Sequence, residues 1–299
     1  SKFSFYKNRF KSIKKKLNLF AEGNIIYVAD NLGYVYAYDY SLKKVIWAKN
    51  FKVPFSSNIK ILNNIIIISN QVNNLYFINK KNGDLIKQIP TEETFVKNEF
   101  KNNLSASNKK LFFLNTYGSL YSIDLINLNI DWFINLNRSI EITPTNLFFG
   151  NILVNNEKIV IASSKNNTSI IDLETGSVIK QFNFSSSVKP LINNNLVFFL
   201  SKNNYLICYD IRINKIIYSY DLNQISFLKK IDIGNNHKEI MLLNNEIFIF
   251  LKNSYVLNFR VNGEFKNLKK LPSKIKSFPI SIDETIIYLN HKNKISIIN

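Results

Sequence analysis

Residues 23–51 read GNIIYVADNLGYVYAYDYSLKKVIWAKNF. A run of consecutive apolar residues meets a polar turn, then an alternating segment ending on Asp39, a second turn, and a last segment carrying Trp47. Alternation with a period of two is the mark of a strand with one buried face, and an unbroken apolar run of this length suits a strand buried on both. Taken alone the stretch describes a short meander. What decides the fold is that it recurs.

Aligned on the residue that closes the alternating segment, the chain contains seven copies, ending at Asp39, Asn79, Asp124, Asp172, Asp210, Phe259 and Asn299. Successive anchors lie 38 to 49 residues apart, about 43 on average, which is the period of a four-stranded propeller blade. Each copy opens on an apolar strand (IIIIS, LFFLN, IFIFL), and its closing Asp or Asn starts a tight turn such as NKKNG at 79–83 or DLETG at 172–176. Carboxylate and amide side chains hydrogen-bond the backbone of such turns, and Gly supplies positive φ. A fourth strand follows, carrying Trp47 or Trp132 in the first and third copies. Segments such as SSNIKILNN, NNLSASNKK and VKPLINNN supply the first strand of the next copy. The pattern predicts an all-β chain, a β-propeller of four-stranded blades with seven repeats visible. It forms a single domain over residues 1–299. The seventh copy stops before its fourth strand, and KFSFYKN at 2–8 is expected to supply it and close the ring.

Composition agrees with a packed β domain. Hydrophobic residues make up 46% and aromatics 14% of the 299 residues, far from a disordered chain. Gly and Pro number only 8 and 6, so Asn, which tolerates the left-handed region well, is expected to make the turns. One cysteine, Cys208, excludes an intramolecular disulfide and sits in an alternating strand where a buried thiol is expected. No apolar run reaches the 18 residues of a membrane-spanning helix. The chain begins at Ser1 without Met or a signal-peptide pattern, so targeting information is expected upstream.

The net charge is +18, and seven of those charges (Lys2, Lys7, Arg9, Lys11, Lys14, Lys15 and Lys16) fall in the first sixteen residues with no acid among them. The remainder is spread along the chain, as on a solvated surface. Basic residues interleaved with aromatics in KFSFYKNRFK suit single-stranded nucleic acid, but the same alternation describes a strand with one aromatic face, which the propeller needs. His237 and His291 are the only histidines, read as surface or turn residues, and metal-ligand spacing is absent. Glu92, Glu93 and Glu99 in PTEETFVKNEF (90–100) read as a solvated loop or part of a partner surface rather than an acid–base pair. No catalytic elbow, phosphate loop or dinucleotide fingerprint occurs. The residues therefore indicate no enzyme, no cofactor and no metal.

Units such as residues 23–51, and IIDLETGSVIK at 170–180, resemble the PQQ-like repeat β-propeller family. That motif specifies blades and not activity. The quinoprotein dehydrogenases of the family hold their cofactor against adjacent cysteines beside a carboxylate-bound calcium, which a chain with one Cys does not match. The chain is most similar to the propeller lipoproteins of the outer-membrane β-barrel assembly machinery. This resemblance implies a non-enzymatic, monomeric scaffold, periplasmic and outer-membrane associated, whose partner is the periplasmic domains of the barrel-forming subunit. It also implies contact by a rim loop or strand edge that adds to a sheet or fills an apolar groove. The stretch WFINLNRSIEITPTNLFFGNILV (132–154) resembles the connection after the third repeat, a contact loop in that family. Carried over, the partner-binding residues are Arg138, Ile140, Glu141 and Ile142. The sequence departs from the family in blade number (eight is usual, so an upstream segment would add one), in the lipid-bearing Cys, and in NFSSSVKPL, which lacks the acidic contacts expected there. The other reading is a propeller that binds a different protein, or nucleic acid, through its basic surface.

Overall fold

The computed structural model describes residues 16–93, 103–107, 109–137, 148, 150, 152–225, 237–282 and 284–298. Among these, 27 strands form six four-stranded sheets and one three-stranded sheet, each an antiparallel meander in chain order. The chain is a β-propeller and each sheet is one blade. Blade 1 comprises Leu17–Glu22, Ile25–Asp30, Tyr34–Asp39 and Lys44–Asn50; the three strands of blade 7 are Ile280–Ile282, Thr285–Leu289 and Ile295–Ile298. The expected closing strand at 2–8 lies outside the described residues. Two compact units are distinguished, Ser1–Glu157 with Glu174–Gly176, and Lys158–Leu173 with Ser177–Asn299.

The apolar runs become the second strand of each blade; they are buried on both faces in blades 1 to 6, while in blade 7 only the Ile286 and Tyr288 face is buried. Ile66, Ile67 and Ile68, Leu111 to Phe113, and Val197 to Leu200 are wholly inaccessible. At about 1.5–3 kcal/mol per buried side chain, these strands supply the main drive to fold. Within the first unit they feed two clusters, one around Tyr27, Phe55, Ile66 and Tyr76, the other around Ile67, Phe77, Leu111 and Phe113. Phe198, Leu206, Ile249 and Phe259 centre a larger cluster in the second unit.

Side-chain oxygens shape the hairpins. In the turn between second and third strands, Asp30 Oδ1 accepts from the Leu32 and Tyr34 amides at 2.9 and 2.8 Å. Asn70, Asn115 and Asn290 repeat the arrangement. Thirteen described residues other than Gly have positive φ, and eight are Asn. The expectation that Asn replaces Gly in the turns is met.

In each of the first six blades the third and fourth strands shift register one residue before the anchor: between Ala37 and Tyr38, Phe77 and Ile78, Ser122 and Ile123, Ile170 and Ile171, Cys208 and Tyr209, and Asn258 and Phe259. This bulge moves the sixth anchor from Phe259 to Arg260, which pairs with Glu246 as Asp39 pairs with Ile25. Arg260 has no carboxylate to cap its turn. Its guanidinium bonds Glu264 Oε2 at 2.7 Å instead, while its amide bonds Glu264 O at 2.9 Å, as the Asn79 amide bonds Asp84 O.

The same register exposes an alternation. Opposite one another just before the bulge stand Ala37 and Trp47, Phe77 and Lys87, Ser122 and Trp132, Ile170 and Lys180, Cys208 and Tyr218, and Asn258 and Asn267. Odd blades put a small residue under an aromatic ring; even blades put a larger residue under a polar chain. Each ring docks on a glycine of the next, even blade. A Cβ on Gly83 would lie 2.5 Å from the Trp47 ring, one on Gly176 2.7 Å from Trp132, and one on Gly263 2.8 Å from Tyr218. The docked rings donate to the glycine turns: Trp47 Nε1 to Lys80 O at 3.0 Å and Tyr218 OH to Val261 O at 2.9 Å.

Candidate interaction site

Arg138, Ile140, Glu141 and Ile142 fall in residues 138–147, which lie outside the described residues. The residues on either side are described, and both bond to one turn of blade 3, Asn115–Gly118. On the entering side the Leu136 amide donates to Gly118 O at 2.8 Å, and the Asn137 amide to Asn135 Oδ1 at 2.7 Å. On the leaving side the Phe148 amide donates to Thr116 O at 2.8 Å, and the Phe148 ring covers Gly118 so closely that a Cβ there would lie 2.7 Å from it. Gly118 has φ of 87°, open to glycine at little cost. Asn103 Nδ2 ties Gly150 O at 2.9 Å. The ten-residue connection is thus held at both ends by one glycine turn.

That turn is braced from blade 2. Asn73 Nδ2 donates to Thr116 Oγ1 at 2.9 Å and to Glu92 O at 2.8 Å, while the Thr116 amide donates back to Asn73 Oδ1 at 3.3 Å. Asn115 Nδ2 reaches Glu92 Oε2 at 2.9 Å. Glu92 is exposed but engaged, so it fixes the turn instead of standing as a solvated acid; Glu99 is outside the described residues. Tyr121, on the strand leading from this turn, is pushed up to about 12 by burial, with the Glu92 charge adding to the effect. Its hydroxyl stays protonated at any physiological pH.

The segment NFSSSVKPL, expected to face a partner, uses its serines internally. Ser185 Oγ donates to Ser164 O, Ser186 Oγ to Val188 O at 2.7 Å, and Ser187 Oγ to Leu200 O at 2.8 Å. These bonds set the path into the first strand of blade 5 and leave Lys189 exposed.

Other reactive groups are structural. Cys208 lies under Tyr218, and burial, followed by the charge of Asp210, pushes its thiol up to about 11. A thiol so held is a poor nucleophile. Among the described residues no group of three or more His, Cys, Asp or Glu is placed to hold a metal ion. His237, read as a surface or turn residue, is instead buried in the first strand of blade 6. Its isolated position on a strand of mixed polarity gave no sign of this. Sequence reasoning also missed the Asn73–Thr116–Glu92 brace, although the recurring Asn at this turn was its trace.

Comparison places these observations. No curated protein sequence matches the chain. Among solved structures it is similar to BamB from Moraxella catarrhalis, at 11% identity and a TM-score of 0.71, over 94% of this chain and 83% of that one. The computationally designed Ika8 protein superposes at a TM-score of 0.69 and 11% identity, covering 95% of this chain and 84% of its own. The C-terminal WD40 domain of Sif2 follows at 0.63 and 10%, with coverages of 95% and 81%. At such identities these likenesses establish the propeller fold alone. The sequence profile described as outer membrane protein assembly factor BamB matches residues 11–220, which take in the first five blades and the stapled connection. That is 210 of 299 residues, and the chain belongs to the outer membrane protein assembly factor BamB family.

Proposed function

We propose that the protein is a non-enzymatic accessory scaffold of outer-membrane β-barrel assembly, monomeric, periplasmic and outer-membrane associated. In this reading it docks on the periplasmic domains of the barrel-forming subunit. The observation that carries it is the stapling of residues 138–147 at both ends to the Asn115–Gly118 turn, in a chain of this family. A loop whose ends are fixed loses less entropy on binding than a free one, and a rigid blade lets its sequence vary without unfolding the core. Ile140 and Ile142 alternate with Arg138 and Glu141, so an extended loop would present the two apolar chains on one face and add to a partner strand or fill its groove.

The test is direct binding of the full chain to the periplasmic domains of the same organism's barrel-assembly subunit. Micromolar or tighter binding is expected. The double variant Ile140→Asp and Ile142→Asp is expected to weaken it by at least about tenfold, as loss of a central apolar anchor does, with circular dichroism unchanged. Absence of binding at physiological salt sinks the assignment. Binding indifferent to the double variant would move the contact elsewhere on the rim.

A further inference from the structure

In the second unit, the turns between second and third strands share a feature that the first unit lacks. Each carries a Lys–Asn pair: Lys165–Asn166, Lys202–Asn203, Lys252–Asn253 and Lys292–Asn293. The corresponding turns of blades 1 to 3 read DNLGY, NQVNN and NTYGS, without a lysine. Copies of one turn in adjacent blades lie along one rim of a propeller. Two of them touch: Lys202 Nζ donates to Lys165 O at 3.5 Å, so the ammonium of the blade 5 turn sits over the blade 4 turn.

The segment linking blades 6 and 7 returns to the same rim. The Leu271 amide donates to Ser254 O in the turn of blade 6 at 2.7 Å, and the His291 amide in the turn of blade 7 donates to Lys274 O at 3.0 Å. This link adds exposed Lys274 and Lys276. It ends on Phe278, whose ring is 61% exposed with Lys238 Nζ 4.7 Å from its centroid. Among the described residues, carboxylates at this end of the second unit are few. Asp221 accepts from the Asn223 amide at 2.9 Å in a cap, and Glu239 is half-buried, which raises its pKa against the opposing effects of the Ile240 amide, Lys189 and Lys238. Lysines that read as part of an evenly spread charge recur on one rim, with exposed Phe278 and Tyr205 among them.

We propose that the lysine rim of blades 4 to 7, with Phe278 on the link between blades 6 and 7, is a docking surface for an anionic phospholipid membrane. Three observations favour a lipid surface. The charges are all Lys, compact and strongly hydrated, suited to a diffuse negative plane rather than to the bidentate recognition that Arg provides. They sit on successive turn tips of one rim, which can meet a plane together. Phe278, 61% exposed, fits insertion at the headgroup boundary, with Tyr205 beside the blade 5 turn as a second exposed interfacial ring, whereas single-stranded nucleic acid calls for a longer series of stacking rings. This inference stands apart from the protein-docking loop, which belongs to the first unit.

The experiment is sedimentation of the full chain with vesicles of phosphatidylcholine, alone or mixed with phosphatidylglycerol, at physiological salt. Binding is expected only to the mixed vesicles. Each rim lysine contributes about fivefold, so the quadruple change Lys165→Gln, Lys202→Gln, Lys252→Gln and Lys292→Gln is expected to abolish measurable binding. Phe278→Ser weakens it several-fold without altering its salt dependence. The control, Arg212→Gln with Lys215→Gln at the opposite end of blade 5, leaves it intact. All these side chains are partly or fully exposed, and circular dichroism checks that the fold is retained. Equal binding to both vesicles, equal losses in the rim and control variants, or a single-stranded oligonucleotide that outcompetes the vesicles would each overturn the proposal.

Discussion

Gly83 and Gly23 share a left-handed backbone, with φ of 76° and 55°, but not an environment. A Cβ on Gly23 meets nothing within 4 Å, while one on Gly83 strikes the Trp47 ring. Gly23→Ala is therefore expected to cost only the conformational penalty, about 1 kcal/mol. Gly83→Ala adds displacement of a half-buried indole, for at least about 3 kcal/mol in all. Urea midpoints of the two variants measure the difference, and equal losses would mean that the ring yields freely. The converse holds at Lys43, exposed at φ of 53° without the freedom of glycine. Lys43→Gly is expected to raise stability by about 0.5 kcal/mol, relief of strain outweighing the added freedom of the unfolded chain. His237 makes a prediction in pH. Burial, with repulsion from Lys252, lowers its pKa from 6.5 to about 4, and its ring nitrogens have no hydrogen-bond partner among the described residues. Unfolding then takes up a proton between these values, so stability is full above about pH 6.5 and falls as the pH drops towards 4, by up to about 3 kcal/mol. Denaturation of the parent and His237→Leu at pH 7.5 and 4.5 checks this, because the variant should lose less on acidification. Parallel losses would place the acid sensitivity elsewhere.

At the scale of the element, the blade is legible in the sequence because burial on both faces leaves an unbroken apolar run, and a turn that needs a side-chain acceptor leaves an Asp or Asn. Both are local signals. The alternation of odd and even blades was not legible, since aligning copies one beneath another averages the two kinds together. What reveals it is pairing across the bulge, where Ser122 faces Trp132 but Phe77 faces Lys87. The sixth anchor was misread for a related reason: Arg260 replaces the acceptor, and only strand pairing locates the position. The small residue under each ring is then a packing requirement. Ser122 is fully buried, so Ser122→Phe, which copies the even-blade residue into an odd blade, should displace Trp132 from Gly176 and destabilise by about 1–3 kcal/mol. A shift in tryptophan emission should accompany the loss, and Trp132→Lys in the same chain should recover part of it. If the double variant is no better than the sum of its parts, the two positions are not coupled and the alternation carries no packing rule.

At the scale of the whole molecule, the candidate contact loop was placed by resemblance, and local sequence gave no hint that one glycine turn of blade 3 holds both its ends. That turn and Phe148 are thirty residues apart, and such closures are set by the fold. The lysine rim was hidden for the same reason, because its members recur one per blade and each looks like an ordinary solvated turn. A net charge of +18 on this fold also has a global consequence. Ion pairs exposed on both sides, such as Lys49 with Asp84 at 2.8 Å and Arg260 with Glu264 at 2.7 Å, are worth about 0–1 kcal/mol each. Repulsion among the excess lysines opposes the compact state over longer distances. Salt screens both, but repulsion acts between many pairs and over distances beyond a Debye length of about 8 Å at physiological ionic strength. Raising the ionic strength from about 0.01 M, where that length is about 30 Å, should therefore raise the Tm by a few degrees. Sodium chloride is the suitable salt, since sulfate also strengthens apolar burial. The quadruple lysine-to-glutamine rim variant should start from a higher Tm at low salt and gain less on screening, because the fold has already concentrated those charges. A Tm that falls with salt in the parent would show that attractive pairs outweigh the repulsion, and the rim lysines would then be better neutralised within the protein than their number suggests.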